Sequence, residues 1–151
     1  MTLFQRTALV FTLATGFLIS SAAAQQADSV WDRITGSWEM DFEQTAKLPE
    51  IKEADQEKIR AAGGSGIKIH LKIGEGTAKV TITIPDQEPQ VVDATWKLLS
   101  SDAKGAFFES ITSSGDAEKR ERASVTYVAD GMLKYTFSDL DYPIVLKRLP
   151  K

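Results

Sequence analysis

The chain has 151 residues, with 18 Lys and Arg against 21 Asp and Glu, a net charge of −3 and no cysteine. With no basic excess and no long run of either sign, nucleic acid and anionic membrane surfaces are poor partners. With no thiol, neither a disulfide framework nor a thiolate metal site can form, so stability must come from a packed core.

The first predicted element is a targeting segment. Arg6 precedes an uncharged stretch from Thr7 to Ile19 rich in Leu, Val, Phe and Ala, and Ser20-Ser21 and Ala22-Ala23-Ala24 follow. A positive start, an apolar run and small residues at the cut are the parts of a secretory signal peptide. Cleavage is expected before Gln25, making residues 1–24 a signal peptide and residues 25–151 a single domain, periplasmic or secreted. The alternative is an uncleaved anchor, but the apolar run is short of the ~20 residues a spanning helix needs. Cleavage removes Arg6 and no acid, leaving 17 basic against 21 acidic side chains and a net charge of −4.

Val30 to Ile34 has apolar residues at helical spacing, enough for one turn that lays Trp31 and Ile34 on a core. Ser37 to Phe42 alternates as a half-buried strand, with Trp38, Met40 and Phe42 on one face. From Leu48 to Ala62 the period becomes helical: Pro49 suits a first position, Glu50 and Glu53 the start, Lys58 and Arg60 the last turn, and Gly63-Gly64 the stop. Its apolar side is thin, as for a helix lying over an opening, with Gly63-Gly64 as a hinge.

Strands and turns follow. Ile67 to Ile73, Ala78 to Ile84 and Val92 to Leu98 each alternate, the first two joined at Gly74-Glu75-Gly76. In Ala106 to Thr112 the adjacent Phe107 and Phe108 leave the inner face ambiguous. Arg122 to Val128 and Met132 to Phe137 are joined by Asp130-Gly131, a strong hairpin signal, and Ile144 to Arg148 is the last strand. The expected fold is all-β: an eight-stranded antiparallel up-and-down barrel with one helix between strands 1 and 2. Closure removes the exposed edges that an open sheet would leave.

Gly36-Ser37-Trp38 on the first strand, after a helical turn, together with Arg148 on the last, resembles the lipocalin and calycin pattern of a Gly-x-Trp opening and a closing Arg. In a closed barrel the first and last strands are neighbours, so a guanidinium can cover the indole and bond backbone carbonyls. Three features depart from that pattern. Glu39 stands where lipocalins usually have an aromatic residue, Asp141-Tyr142 is similar to a second lipocalin motif but directly precedes the last strand, and no helical pattern follows the barrel. The helix between the first two strands is closer to fatty-acid-binding proteins, where a helical lid covers the mouth. The chain thus resembles small exported bacterial lipocalin-like proteins over most of residues 30–149, which implies a fold more than a function.

Little in the sequence points to chemistry. His70 is the only histidine, and alternation places it between Lys68 and Lys72 in solvent; service as a haem ligand would need the strand phase inverted. Asp139 with Asp141, and Glu50 with Glu53, lack the spacing of a calcium loop, so no metal and no cofactor are expected. Gly63-Gly64-Ser65-Gly66 ends a helix rather than opening one, the reverse of a phosphate loop. The mixed charges from Glu118 to Arg122 read as a solvated hairpin flank. No catalytic constellation is visible.

The barrel interior carries the functional expectation. Its inward face should include Ile69, Val80, Ile82, Trp96, Tyr127, Tyr135 and Phe137, suited to a small hydrophobic molecule oriented by the two phenols. Eight strands enclose either a filled core or room for one ligand. The first alternative leads to a module that binds another exported protein, such as an inhibitor of an exported hydrolase, and the second to a carrier.

Overall fold

The structure is a computed structural model that describes residues 30–114 and 116–151; the expected signal peptide lies outside them. Among the described residues there are eight strands: β1 (Gly36–Met40), β2 (Lys68–Gly74), β3 (Thr77–Thr83), β4 (Gln90–Ser101), β5 (Gly105–Ser114), β6 (Ala117–Ala129), β7 (Met132–Phe137) and β8 (Ile144–Arg148). Each pairs antiparallel with its neighbour in sequence, and β8 returns to β1, closing the barrel. The alternation read along the chain therefore gives the fold found, an eight-stranded up-and-down barrel of lipocalin-like topology.

The helical segment differs in detail. The strand expected to reach Phe42 ends at Met40, and Phe42 opens a short helix, α1 (Phe42–Ala46). Asp41 explains the switch: its carboxylate accepts from the Gln44 N–H at 2.9 Å, an N-cap that the reading as a strand overlooked. The helix expected over residues 48–62 is α2 (Glu53–Gly64), preceded by turns through Pro49 and Glu50. Pro49 fixes a turn rather than a first helical position, and Lys58 and Arg60 lie inside α2 rather than in its last turn.

Gly63-Gly64 does not act as a free hinge. The helix runs through both residues and ends at Ser65, and a side chain at Gly63 would collide with the Phe42 ring. The glycine is there so that α1 and α2 can touch. On its other side α1 packs on β8, where the Thr45 hydroxyl accepts from the Val145 N–H at 2.9 Å and donates to the Asp41 carbonyl. With the barrel interior on one face and α1 on the other, Ile144, Val145 and Leu146 are all buried, which is why β8 is a continuous apolar run without alternation.

One end of the barrel is closed by the helical turn at residues 30–34. Arg148 pairs with Trp38 across the β1–β8 seam, and its guanidinium lies 4.3 Å from the indole centroid. The same group donates to the Thr35 carbonyl at 2.8 Å and to the Arg33 carbonyl, while the Trp38 indole N–H donates to the Ile34 carbonyl at 2.7 Å. Gly36 sits under this arrangement at φ +141°, and a Cβ there would stand 2.9 Å from an Arg148 nitrogen. The opening glycine, tryptophan and closing arginine thus form one unit that ties the helical turn to both ends of the sheet.

Candidate functional site

An aromatic column runs up the inside of the barrel from this floor. Trp31 meets Phe108 at 5.3 Å between ring centroids, Phe108 stacks on Trp96 at 4.9 Å, Trp96 on Tyr135 at 5.9 Å and Tyr135 on Phe137 at 6.3 Å. Phe108 is fully buried whereas its neighbour Phe107 is 59 % exposed, which resolves the inner face of β5. Below Trp96 the column fills the barrel. Above it, a cavity of about 590 Å³ opens toward α2.

The two alternatives for the interior are therefore both realised, at different levels of the barrel. The floor half has Trp31, Ile34, Trp38 and Phe108 at its centre. In the mouth half the inward positions carry smaller side chains, Ala78 and Val80 on β3 and Ala94 on β4, which leave space that no large ring occupies. Ile59 and Ala62 of α2, with Phe42 of α1, roof this space, and Leu140 and Tyr142 from the β7–β8 connection flank it. A helix thinly apolar on one side is what such a roof requires.

Of the seven residues expected to face a ligand, Ile69, Val80, Ile82, Trp96, Tyr135 and Phe137 line this cavity, and Tyr127 does not. The sequence phase was right, since Tyr127 follows Ala123 and Val125 on the inner face of β6, but its level in the barrel was not readable. Tyr127 belongs to the floor end, where the Arg33 guanidinium lies 3.3 Å from its ring centroid and lines a separate surface groove with it and Trp38. Its hydroxyl is sealed from solvent and has no hydrogen-bond partner among the described residues. Burial raises the pKa of that phenol, and the Asp102 carboxylate adds to the rise while Arg33 opposes it.

Sequence reasoning missed the polar part of the cavity. Ser110 and Thr112 on β5 point into it once Phe108 fixes the phase. Ser110 is buried and lies directly across from Trp96 on β4 and from Glu121 on β6. Residues opposite each other in a ladder share a face, so Glu121 also points inward, and its side chain is only 8 % exposed. Lys119 binds this carboxylate at 2.6 Å and also pairs with Asp139. These contacts hold the Asp139 carboxyl below, and the Lys119 ammonium above, their usual ranges. The charges at 118–122 are therefore not all on a solvated flank: the odd-numbered ones face inward at the mouth. The Tyr135 phenol is pushed up strongly by burial, with Glu121 adding to the effect.

His70 lies on the outer face, as its strand phase requires, but with a partner: its Nε2 is 2.9 Å from a Glu39 oxygen, and the other Glu39 oxygen is 3.8 Å from Lys147. No group of three or more His, Asp or Glu able to hold a metal occurs among the described residues. Asp139 is paired with Lys119, and Glu50 with Lys134 at 2.8 Å. Of the charged side chains, only Lys58 lines the cavity among the described residues, and it stands at the mouth, mostly exposed and paired with Asp55 at 3.1 Å.

Fold and cavity together define the class: a lipocalin-like barrel whose floor is packed and whose mouth half encloses an apolar chamber. Compared with known proteins, the chain matches no family model and no curated protein.

Proposed function

We propose that this protein is an exported, lipocalin-like carrier that binds one small hydrophobic molecule in the chamber between Trp96 and α2. The observation that carries the reading is the chamber itself, about 590 Å³ lined by aliphatic and aromatic side chains, a volume within the range that holds small-molecule ligands. No nucleophile–base pair accompanies it among the described residues, which favours binding over turnover. Residues 1–24 supply the export signal, and the Gly36, Trp38 and Arg148 unit supports kinship with exported bacterial calycin-type proteins.

Native mass spectrometry of the protein purified from an exporting cell tests this. The expected result is a mature mass beginning at Gln25 with an adduct of a few hundred daltons that leaves on denaturation. A clean mass, together with failure of any apolar fluorophore to bind, would refute it.

A second reading, a protein-binding module, rests on a different observation. Leu99, extruded by the bulge between Leu98 and Ser100, and Phe107, opposite Ser100, are both about half or more exposed on the outer wall near the floor. Under that reading Phe107→Ser abolishes capture of a protein partner while leaving fluorophore binding unchanged.

A further inference from the structure

The head group that this chamber accepts can be argued from its polar atoms, on the premise that it carries a ligand. The hydroxyl-bearing side chains that line it are Ser110, Thr112, Tyr135 and, on its flank, Tyr142; no hydrogen bond joins the Ser110 or Tyr135 hydroxyl to another described residue. They converge: Ser110 sits across the ladder from Trp96, and the Tyr135 ring stacks on the same indole. A hydroxyl in a chamber lined mainly by hydrocarbon needs a partner, and a ligand group able both to donate and to accept would serve either one.

Charge narrows the choice. Glu121 faces inward beside Ser110, and Asp139 lies next to it, so two carboxylates share the single Lys119 ammonium. A ligand carboxylate brought to Ser110 would meet a net negative cluster whose one cation is already engaged twice. The one cation that lines the chamber among the described residues, Lys58, is at the mouth and paired with Asp55. Burying an anion without a cationic partner is strongly unfavourable. A ligand ammonium would be drawn to the same cluster, but its carboxylates are already held by Lys119 and the ammonium would lose its hydration to an apolar lining.

We infer that the ligand is an uncharged amphiphile, a single apolar body with a hydroxyl or similar neutral hydrogen-bonding head, which enters head first and bonds Ser110 and Tyr135 above the Trp96 indole. The chamber thereby selects alcohols over free carboxylic acids of the same chain. This rests on the carrier reading and adds the direction and chemistry of binding.

The test is displacement of an apolar fluorophore from the purified protein by dodecanol, dodecanoate and dodecylamine in mildly alkaline buffer, where the acid is ionised and the amine largely protonated. Dodecanol should compete at least about tenfold more tightly than dodecanoate and more tightly than dodecylamine, tenfold being ~1.4 kcal/mol. Ser110→Ala and Tyr135→Phe, with unchanged thermal melts, should each weaken dodecanol by roughly three- to tenfold, the worth of one hydrogen bond. Glu121→Gln should narrow the gap between alcohol and acid. Dodecanoate binding as tightly as dodecanol, dodecylamine binding tightest, or indifference of dodecanol to both hydroxyl deletions would each overturn the assignment while leaving the carrier reading standing. If neither the fluorophore nor any of the three amphiphiles binds, the carrier reading itself fails.

Discussion

Arg148 should carry more stability than any other side chain on the surface of the floor, and replacing it tests how the barrel is closed. Arg148→Ala removes a guanidinium 4.3 Å from the Trp38 ring centroid and two donations to carbonyls of the opening helical turn, at Thr35 and Arg33. A partly exposed cation–π contact is worth about 1 kcal/mol. Hydrogen bonds from a charged donor are worth about 1.5–3 kcal/mol when buried, and their exposure here reduces them to roughly 0.5–1 kcal/mol each. Loss of the apolar stem over the indole adds a few tenths, for a total near 2–3 kcal/mol.

Urea unfolding followed by tryptophan fluorescence reads this out. With a slope of ~1–3 kcal/mol/M for small domains, the midpoint should fall by about 1–2 M at unchanged slope. Arg148→Lys should recover less than half of the loss, because an ammonium cannot reach both carbonyls while lying flat on the indole. Fluorophore binding to the folded variant should be unaffected, since the chamber lies at the other end of the barrel. A change below about 0.5 kcal/mol for Arg148→Ala, the range expected of an ordinary surface substitution, would show that the barrel closes without this unit and that the likeness to the lipocalin signature is incidental.

Gly36→Ala should cost about 1–3 kcal/mol, because the residue must hold φ +141° and its Cβ would press on Arg148; combined with Arg148→Ala the two losses should sum to less than their separate values, as measured by a double-mutant cycle. Ala94→Phe should fill the chamber and abolish fluorophore binding at a stability change within about 1 kcal/mol, since the added ring enters open space rather than a packed core. Gly63→Leu should destabilise the α1–α2 contact by driving a side chain into Phe42, seen as faster amide exchange across α2 with β2–β7 protected as before. The Glu50 carboxyl is held below its usual range mainly by its hydrogen bond to Lys134. A depressed folded pKa stabilises above the unfolded value and is lost as pH falls through the folded one, so the stability advantage of wild type over Lys134→Met, a few tenths of a kcal/mol or about that for an exposed pair, should be present at neutral pH and vanish on acidification.

How far the sequence could be read depends on whether the information was local. Strand phase is local, because alternation fixes which side of the pleat each residue takes, and that placed Ile69, Val80, Ile82, Trp96, Tyr135 and Phe137 inward. Height along the barrel axis is not local. It is set by the stagger between strands, so Tyr127, with the correct phase, ended beside Arg33 at the floor instead of in the chamber. Ser110 and Glu121 were missed for a linked reason. With Phe107 and Phe108 adjacent, the phase of β5 could be decided only by which ring the Trp96 column accepts, a contact between separate strands. The segment after β1 misled because Phe42 continues the strand alternation, while Asp41, an equally local signal for a helix start, argues the other way; α1 packing on β8 decides between them.

The division of the barrel into a packed floor and an open mouth also assigns different physical duties to the two ends. Closing an antiparallel barrel requires the last strand to find the first across the whole chain, and contacts of such sequence separation form late and at an entropic cost. Here the seam is fixed by Trp38 opposite Arg148, and the same arginine fastens the helical turn at residues 30–34, so one side chain coordinates three distant segments where the core is densest. The mouth half is freed from that duty. Ala78, Val80 and Ala94 can stay small there because the large rings of Phe108, Trp96 and Trp38 already supply burial below them. An apolar chamber in a chain without disulfides forgoes some stabilisation from packing, and the aromatic column and floor are placed to offset it. It follows that substitutions enlarging the floor should unfold the protein before they alter the chamber, whereas substitutions at Ala94, Ser110 or Tyr135 can reshape the chamber without changing whether the barrel forms.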